Sequence, residues 1–191
     1  MPDHMRFSGG FQDAAVDAAH AFRAAMTVMA RPGEIRALAG CEPPAPLSVA
    51  AGTLLLTLCD AETNVHLAGE ADTGSVREWL TFHTGAPIVA AEEADFALGT
   101  WDALAPLKTY RIGTPEYPDR SATLVVECRR LEQNGAVLSG PGIRDTARFS
   151  LPDVQALQNN ALLYPLGCDF FFTCGEAVAA LPRSTQIRSR G

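Results

Sequence analysis

The sequence predicts an α/β fold, a three-layer α/β/α sandwich with a mixed sheet between helices. Three observations carry this reading. Apolar residues recur at helical spacing in 11–29 and 72–84. The stretch 168–174 is a continuous apolar run, the pattern of a strand covered on both faces, and 122–130 is a clear strand centred on Leu124-Val125-Val126. Helical and extended segments alternate through the first half, and the second half is richer in strands. A chain of 191 residues and 20.3 kDa, 47% hydrophobic and 19% charged, has material for one domain with a sizeable core. That domain spans 1–191, with 1–10 flexible and 105–120 a surface loop.

The first helix covers 11–29, where Phe11, Ala15, Ala18, Phe22, Met26 and Met29 form one stripe and Asp13, Asp17 and Arg23 lie off it. Arg31-Pro32-Gly33 stops it. A short strand over 34–38 follows, then a stiff proline loop at 43–46. Ser48 is placed as the N-cap of a helix ending near Cys59. That helix is apolar nearly all round, which places it in the interior. A strand at 64–68 leads to the helix at 72–84, with Val76, Trp79, Leu80 and His83 on one side. Strands at 86–91 and 95–98 flank an acidic turn, and 101–107 is a short helix or loop. Asn134-Gly135 is a hairpin signal between the strand at 122–130 and its return at 136–139. Gly140-Pro141-Gly142 turns the chain into an extended stretch at 143–150. Pro152 suits the first position of a helix running to about Leu163. The strand at 168–174 turns at Gly175-Glu176 and pairs back through 178–181.

Composition excludes several functions. Lys108 is the single lysine beside fourteen arginines, and it sits in a turn-forming stretch. Schiff-base chemistry needs a desolvated lysine, and a P-loop needs lysine after its glycines. A net charge of −7 without a basic stripe argues against nucleic acid. The longest apolar stretch, 49–59, is far short of the roughly 20 residues of a membrane span. The five cysteines are odd in number and widely spaced, a poor disulfide framework that favours a reducing cytoplasm. No cysteine or histidine set has metal-ligand spacing, so no metal is expected.

Three residues stand out as candidates for binding an anionic ligand or a partner. His83 ends a helix, where it can act as a general base or cap the last carbonyls. Arg31 and Arg183 each lie beside a proline turn, and Arg183 adjoins Ser184 and Thr185. Solvated or capping roles remain open for all three. Ser139-Gly140-Pro141-Gly142-Ile143 lacks the glycine spacing of a phosphate loop and reads as a turn. The residues alone therefore leave a domain with no recognisable catalytic set.

Several ordered segments resemble a known family. They are Ala19-His20-Ala21-Phe22-Arg23, Met29-Ala30-Arg31-Pro32-Gly33, Leu54-Leu55-Leu56-Thr57-Leu58-Cys59-Asp60 and Phe82-His83-Thr84-Gly85-Ala86-Pro87. Leu138-Ser139-Gly140-Pro141-Gly142-Ile143 follows, then Tyr164-Pro165-Leu166-Gly167-Cys168-Asp169, Phe172-Thr173-Cys174-Gly175-Glu176 and Leu181-Pro182-Arg183-Ser184-Thr185. Together, over roughly residues 14–187, they resemble the H subunits of the bacterial carbon–phosphorus lyase. The resemblance implies a reduced form of the large domain of pyridoxal-phosphate transferases that has lost its cofactor. It implies a homodimer that joins G, I and J subunits in a core complex. It further implies service in making ribose 1-methylphosphonate 5-triphosphate from ATP and methylphosphonate, with no cofactor and no catalytic residue in this subunit. The alternative is an autonomous small-molecule enzyme or an anion-binding module using His83, Arg31 and Arg183.

Overall fold

Among the described residues, four of the five α-helices open on a side chain that accepts a hydrogen bond from one of their first free N–H groups. In the structure, a computed structural model that describes residues 8–189, Asp13 caps α1 (Ala14–Ala30) and Ser48 caps α2 (Val49–Leu58). Thr73 caps α3 (Gly74–Thr84) and Asp153 caps α5 (Val154–Ala161). The fourth helix, α4 (Trp101–Leu104), is a single turn without such a cap. The strands are β1 (Arg36–Ala37), β2 (Val65–Leu67), β3 (Phe96–Thr100), β4 (Thr123–Glu127), β5 (Ala136–Ser139), β6 (Ala147–Phe149), β7 (Asp169–Cys174), β8 (Ala177–Leu181) and β9 (Gln186–Arg188).

Six strands form a mixed sheet in the order β1-β8-β7-β4-β3-β2, and three form a smaller antiparallel sheet, β6-β5-β9. Strands β2, β3, β4 and β7 run parallel, while β8 and β1 return antiparallel. The two central strands are buried on both faces, which is why they read as apolar runs. Val125, Phe171, Val178 and Ala180 point into one core with α1, α2 and α3. Leu124, Val126, Phe170, Phe172 and Leu181 point into the other, with Leu104 of α4, Leu157 of α5 and the inner face of the small sheet. The α/β class with a mixed sheet is thus as expected. The second outer layer differs from the expected helices alone, because the three-stranded sheet covers part of that face.

The segment expected as a hairpin around Asn134-Gly135 is not one. β4 already has β3 and β7 on its two edges, so β5 pairs instead with β6 and β9. Gly135 keeps a positive φ of 88° in the connection between the sheets. The strand expected at 86–91 reduces to one isolated bridge, Val65 to Ile88. The helix placed to begin at Pro152 begins at Val154, because the Asp153 carboxylate accepts from Ala156 N–H at 2.9 Å. The proposed flexible segment 1–10 falls on residues 1–7, outside those described, and on 8–10, where Gly9 O accepts from Glu42 N–H.

The buried face of α1 also differs in part from the expected one, although Phe11 and Met29 of the anticipated stripe do pack against the core. Ala21, Ala25 and Val28 are buried, whereas Phe22 and Met26 of the anticipated stripe are 50% and 52% exposed. Small side chains let α1 approach α2 and β8 closely, and that close approach decides the orientation over side-chain size. Gly142 has a related role. Its φ is +79° and a Cβ there would lie 1.9 Å from Ala30 O, so the Gly140-Pro141-Gly142 turn packs directly on the end of α1.

Burial pushes the Cys41 thiol from its ordinary value of 9.0 to about 11, and the Cys128 and Cys168 thiols to about 12. Cys59 is raised further still by the same cause. A group whose folded pKa is raised stabilises the fold below its unfolded value and loses that contribution as pH rises through the folded one. Stability in urea titrations is therefore expected to hold up to about pH 9 and to fall between pH 9 and 12. Cys168→Ala should flatten part of that decline.

Candidate functional site

His83, Arg31 and Arg183 lie on three separate parts of the fold. His83 sits in the last turn of α3, before the left-handed Gly85 that ends the helix. Its ring meets Trp79 edge-on at 5.2 Å and Phe82 at 5.0 Å. A Cβ on Gly10 would come within 2.5 Å of it, so the chain passes directly over the imidazole. Arg31 caps the end of α1 and its side chain is 64% exposed, with Glu34 at 3.8 Å. Arg183 is mostly enclosed, at 13%. It bonds the Asp169 carboxylate through its backbone N–H at 2.8 Å and through Nε and Nη2. Its Nη1 donates to Pro118 O at 2.6 Å and its Nη2 to Ser121 Oγ. These contacts join β8, β7 and the segment before β4.

The carboxyl ends of the parallel strands are where an open α/β sheet receives ligands. Here Glu127, at the end of β4, fills that ground. Its Oε1 accepts from Ser48 N–H at 2.7 Å and its Oε2 accepts from the Thr173 hydroxyl at 2.9 Å. The carboxylate thereby occupies the positive N-terminus of α2, the place where an anion would otherwise bind. Beside it lies a hollow of about 310 Å³ bordered by Trp101, Cys128, Arg129 and Arg130. Among the described residues no group of three or more His, Cys, Asp or Glu side chains could hold a metal ion. Among the same residues no helix is long and apolar enough to cross a membrane.

A hollow of about 660 Å³ is bordered by Gln12, Asp13, Asp17, Glu42 and Glu176, and other surface features are apolar. A groove of about 520 Å³ runs between the 101–112 segment and α5, lined by Trp101, Pro106, Leu107, Ile112, Ala156 and Leu163. Lys108 lies on its rim, exposed in a 3-10 turn. Directly after α5, Leu162, Leu163 and Tyr164 are 83%, 45% and 62% exposed. On α1, Phe22 and Met26 point outward together, and Val16 in the first turn is 48% exposed on its own. Contiguous apolar surface of this kind marks a protein contact site. The sequence places the end of α5 at about Leu163, whereas the helix ends at Ala161 and leaves Leu162, Leu163 and Tyr164 outside it. The signal of this run was three large apolar residues just before Pro165, where helical packing stops.

Residues 9–188 match the family described as bacterial phosphonate metabolism protein, PhnH. The chain belongs to the PhnH family. It is 40% identical over 190 residues, 95% of each chain, to the Rhizobium meliloti protein named alpha-D-ribose 1-methylphosphonate 5-triphosphate synthase subunit PhnH. It is 30% identical over 179 residues to a protein of Stutzerimonas stutzeri named putative C-P lyase subunit protein HtxG, covering 90% of this chain and 86% of that one. The family match bears out the resemblance drawn from the ordered segments. Both named relatives are subunits, which suits a PhnH chain that exposes large apolar side chains such as Leu162 and Tyr164.

The contacts of Arg183 and Arg31 separate their contributions. Removing one partner of an enclosed ion pair costs roughly 3–5 kcal/mol, whereas an exposed side chain contributes within about 0.5 kcal/mol. Arg183→Ala should lower unfolding free energy in urea by the larger amount. Arg31→Ala should leave the urea midpoint essentially unchanged.

Proposed function

We propose that this chain is an accessory subunit of the complex that makes alpha-D-ribose 1-methylphosphonate 5-triphosphate from ATP and methylphosphonate. The observation that carries this reading is the 40% identity, over 95% of both chains, to a named subunit of that synthase. The chain acts as a scaffold and contributes no catalytic residue. It works in the cytoplasm, forms a homodimer and joins G, I and J subunits of carbon–phosphorus lyase. The sheet, with four parallel strands and an antiparallel return, is read as a reduced pyridoxal-phosphate-transferase domain. The Leu162–Tyr164 knuckle with the adjoining groove, and the outward stripe of α1, are the surfaces assigned to those contacts.

The assembly can be tested by co-expression with the G, I and J subunits and purification through a tag on one of them. Leu162→Asp and Phe22→Asp should each reduce the amount of this chain recovered, with the melting temperature of the isolated protein unchanged. Light scattering of the isolated chain should report a dimer at micromolar concentration. Full recovery of both variants, or a wild-type chain that turns over ATP and methylphosphonate alone, would overturn the reading. The second outcome would favour an autonomous enzyme centred on His83, Arg31 or Arg183.

The same reading implies that pyridoxal phosphate forms no Schiff base here, because the single lysine, Lys108, stands exposed on a groove rim. A buried, desolvated lysine is what that chemistry uses. Incubation with the cofactor should produce no internal aldimine band, and borohydride should trap no adduct on Lys108.

A further inference from the structure

Two of the five thiols stand across the seam between β4 and β7. The parallel register sets Glu127 opposite Thr173. One residue further on it sets Cys128 opposite Cys174, and the ladder still holds there, since Cys128 N–H donates to Thr173 O at 2.8 Å. Neighbouring strands lie about 4.8 Å apart. A disulfide spans roughly 4.4–6.8 Å between α-carbons. Opposed residues of a parallel pair point to the same face, as the Thr173 hydroxyl donating to Glu127 Oε2 shows for the preceding pair. Cys128 and Cys174 therefore share the other face.

The sulfurs are turned towards the seam. Cys128 Sγ lies 3.6 Å from Val126 O, the carbonyl that also faces the Thr173 hydroxyl at 3.4 Å. Cys174 Sγ lies 3.3 Å from Arg129 O, on the chain leaving β4. Each sulfur thus rests against backbone of β4 or its continuation. These two thiols are half-buried, while Cys41, Cys59 and Cys168 are buried.

We propose that Cys128 and Cys174 form an oxidisable dithiol, a site of reversible disulfide formation at the carboxyl edge of the parallel strands. The oxidant class is a peroxide. The Cys174 thiolate attacks one oxygen of hydrogen peroxide and the O–O bond breaks. Cys174 becomes a sulfenic acid, and the departing hydroxide takes up a proton as water. The Cys128 sulfur, after releasing its proton to solvent, attacks the sulfenic sulfur. An S–S bond forms, the S–O bond breaks, and a second hydroxide leaves and becomes water. Two thiols lose two electrons in all, and one peroxide is reduced to two waters. Burial, reinforced by Glu127 and Cys174, holds the Cys128 pKa at about 12, so Cys128 is the slower, second partner. A dithiol reductant reverses the bond.

Such a bond has a structural consequence. Cys174 precedes the Gly175-Glu176 turn, whose carbonyls accept from Ala50 N–H at the start of α2 and from Leu38 N–H beside β1. The disulfide would tie the exit of β4 to the turn that seats both elements. It would also fix one wall of the hollow beside Trp101 and Arg129.

The test uses the full chain, reduced, freed of reductant and treated with hydrogen peroxide. The protein is then unfolded, alkylated and digested without reduction. The expected intact mass is lower by two hydrogen atoms, with one cross-linked peptide pair joining Cys128 to Cys174 and alkyl groups on Cys41, Cys59 and Cys168. Cys128→Ser and Cys174→Ser should each abolish the link, and Cys41→Ser should retain it. Cys128→Ser should instead accumulate oxidised sulfur on Cys174. Alkylation of both Cys128 and Cys174 in the peroxide-treated wild type would overturn the proposal. So would links formed equally among the three buried thiols. The wild-type peptide map decides the matter even if a serine variant fails to fold.

Discussion

Arg183 gathers more of the chain than any short-range contact around it. Its guanidinium and backbone N–H bond the Asp169 carboxylate at the start of β7, a carbonyl at Pro118 and the Ser121 hydroxyl just before β4. Arg111 repeats the arrangement next to it, with Asp95 and the Ala94 carbonyl at the start of β3. Between them these side chains fasten the 105–122 stretch over the amino ends of three parallel strands. That stretch has short 3-10 turns and one bridge, Ile112 to Ser121, and it buries Tyr110 against the core. The planar fork of an arginine can serve a carboxylate, a carbonyl and a hydroxyl at once, which a lysine ammonium on a flexible stem does less well. Here some of the chain's many arginines hold the structure together.

Much of the fold was legible because local chemistry and tertiary packing agreed. Ser48 capped its helix as its position suggested, and the apolar character of α2 placed it inside. The runs around Val125 and Phe171 became central strands because only a strand covered on both sides needs such continuity. Legibility failed where tertiary context overruled a local signal. Asn134-Gly135 has the chemistry of a tight hairpin, yet both edges of β4 were already taken by distant strands. Alternation along α1 could not show that alanines rather than Phe22 and Met26 face the core, since close helix packing rewards small residues. Strand β9 is too short, at three residues, to leave a pattern at all.

The three candidate residues show how little turn position says by itself. Proline turns flank both Arg31 and Arg183, but one arginine stands in solvent and the other is held on all sides by its own chain. The surfaces that distinguish this domain are apolar and carry no motif. Leu162 and Tyr164 follow a helix that ends early, and their exposure depends on where Pro165 sends the chain. An interaction surface of this sort is visible only once the core has been subtracted from the total of apolar residues, and that needs the fold.

The carboxylate of Glu127 raises a question of competition. It is covalently carried to the amino end of α2, with Thr173 holding its other oxygen. An intramolecular group of this kind acts at an effective concentration in the millimolar range or above. A dissolved phosphate or phosphonate would have to displace it at that concentration, and would lose the Thr173 contact in the exchange. The domain thus retains the geometry in which α/β proteins hold anions, while keeping that position occupied from within. An anion that approaches this helix end meets a position already neutralised from within the chain.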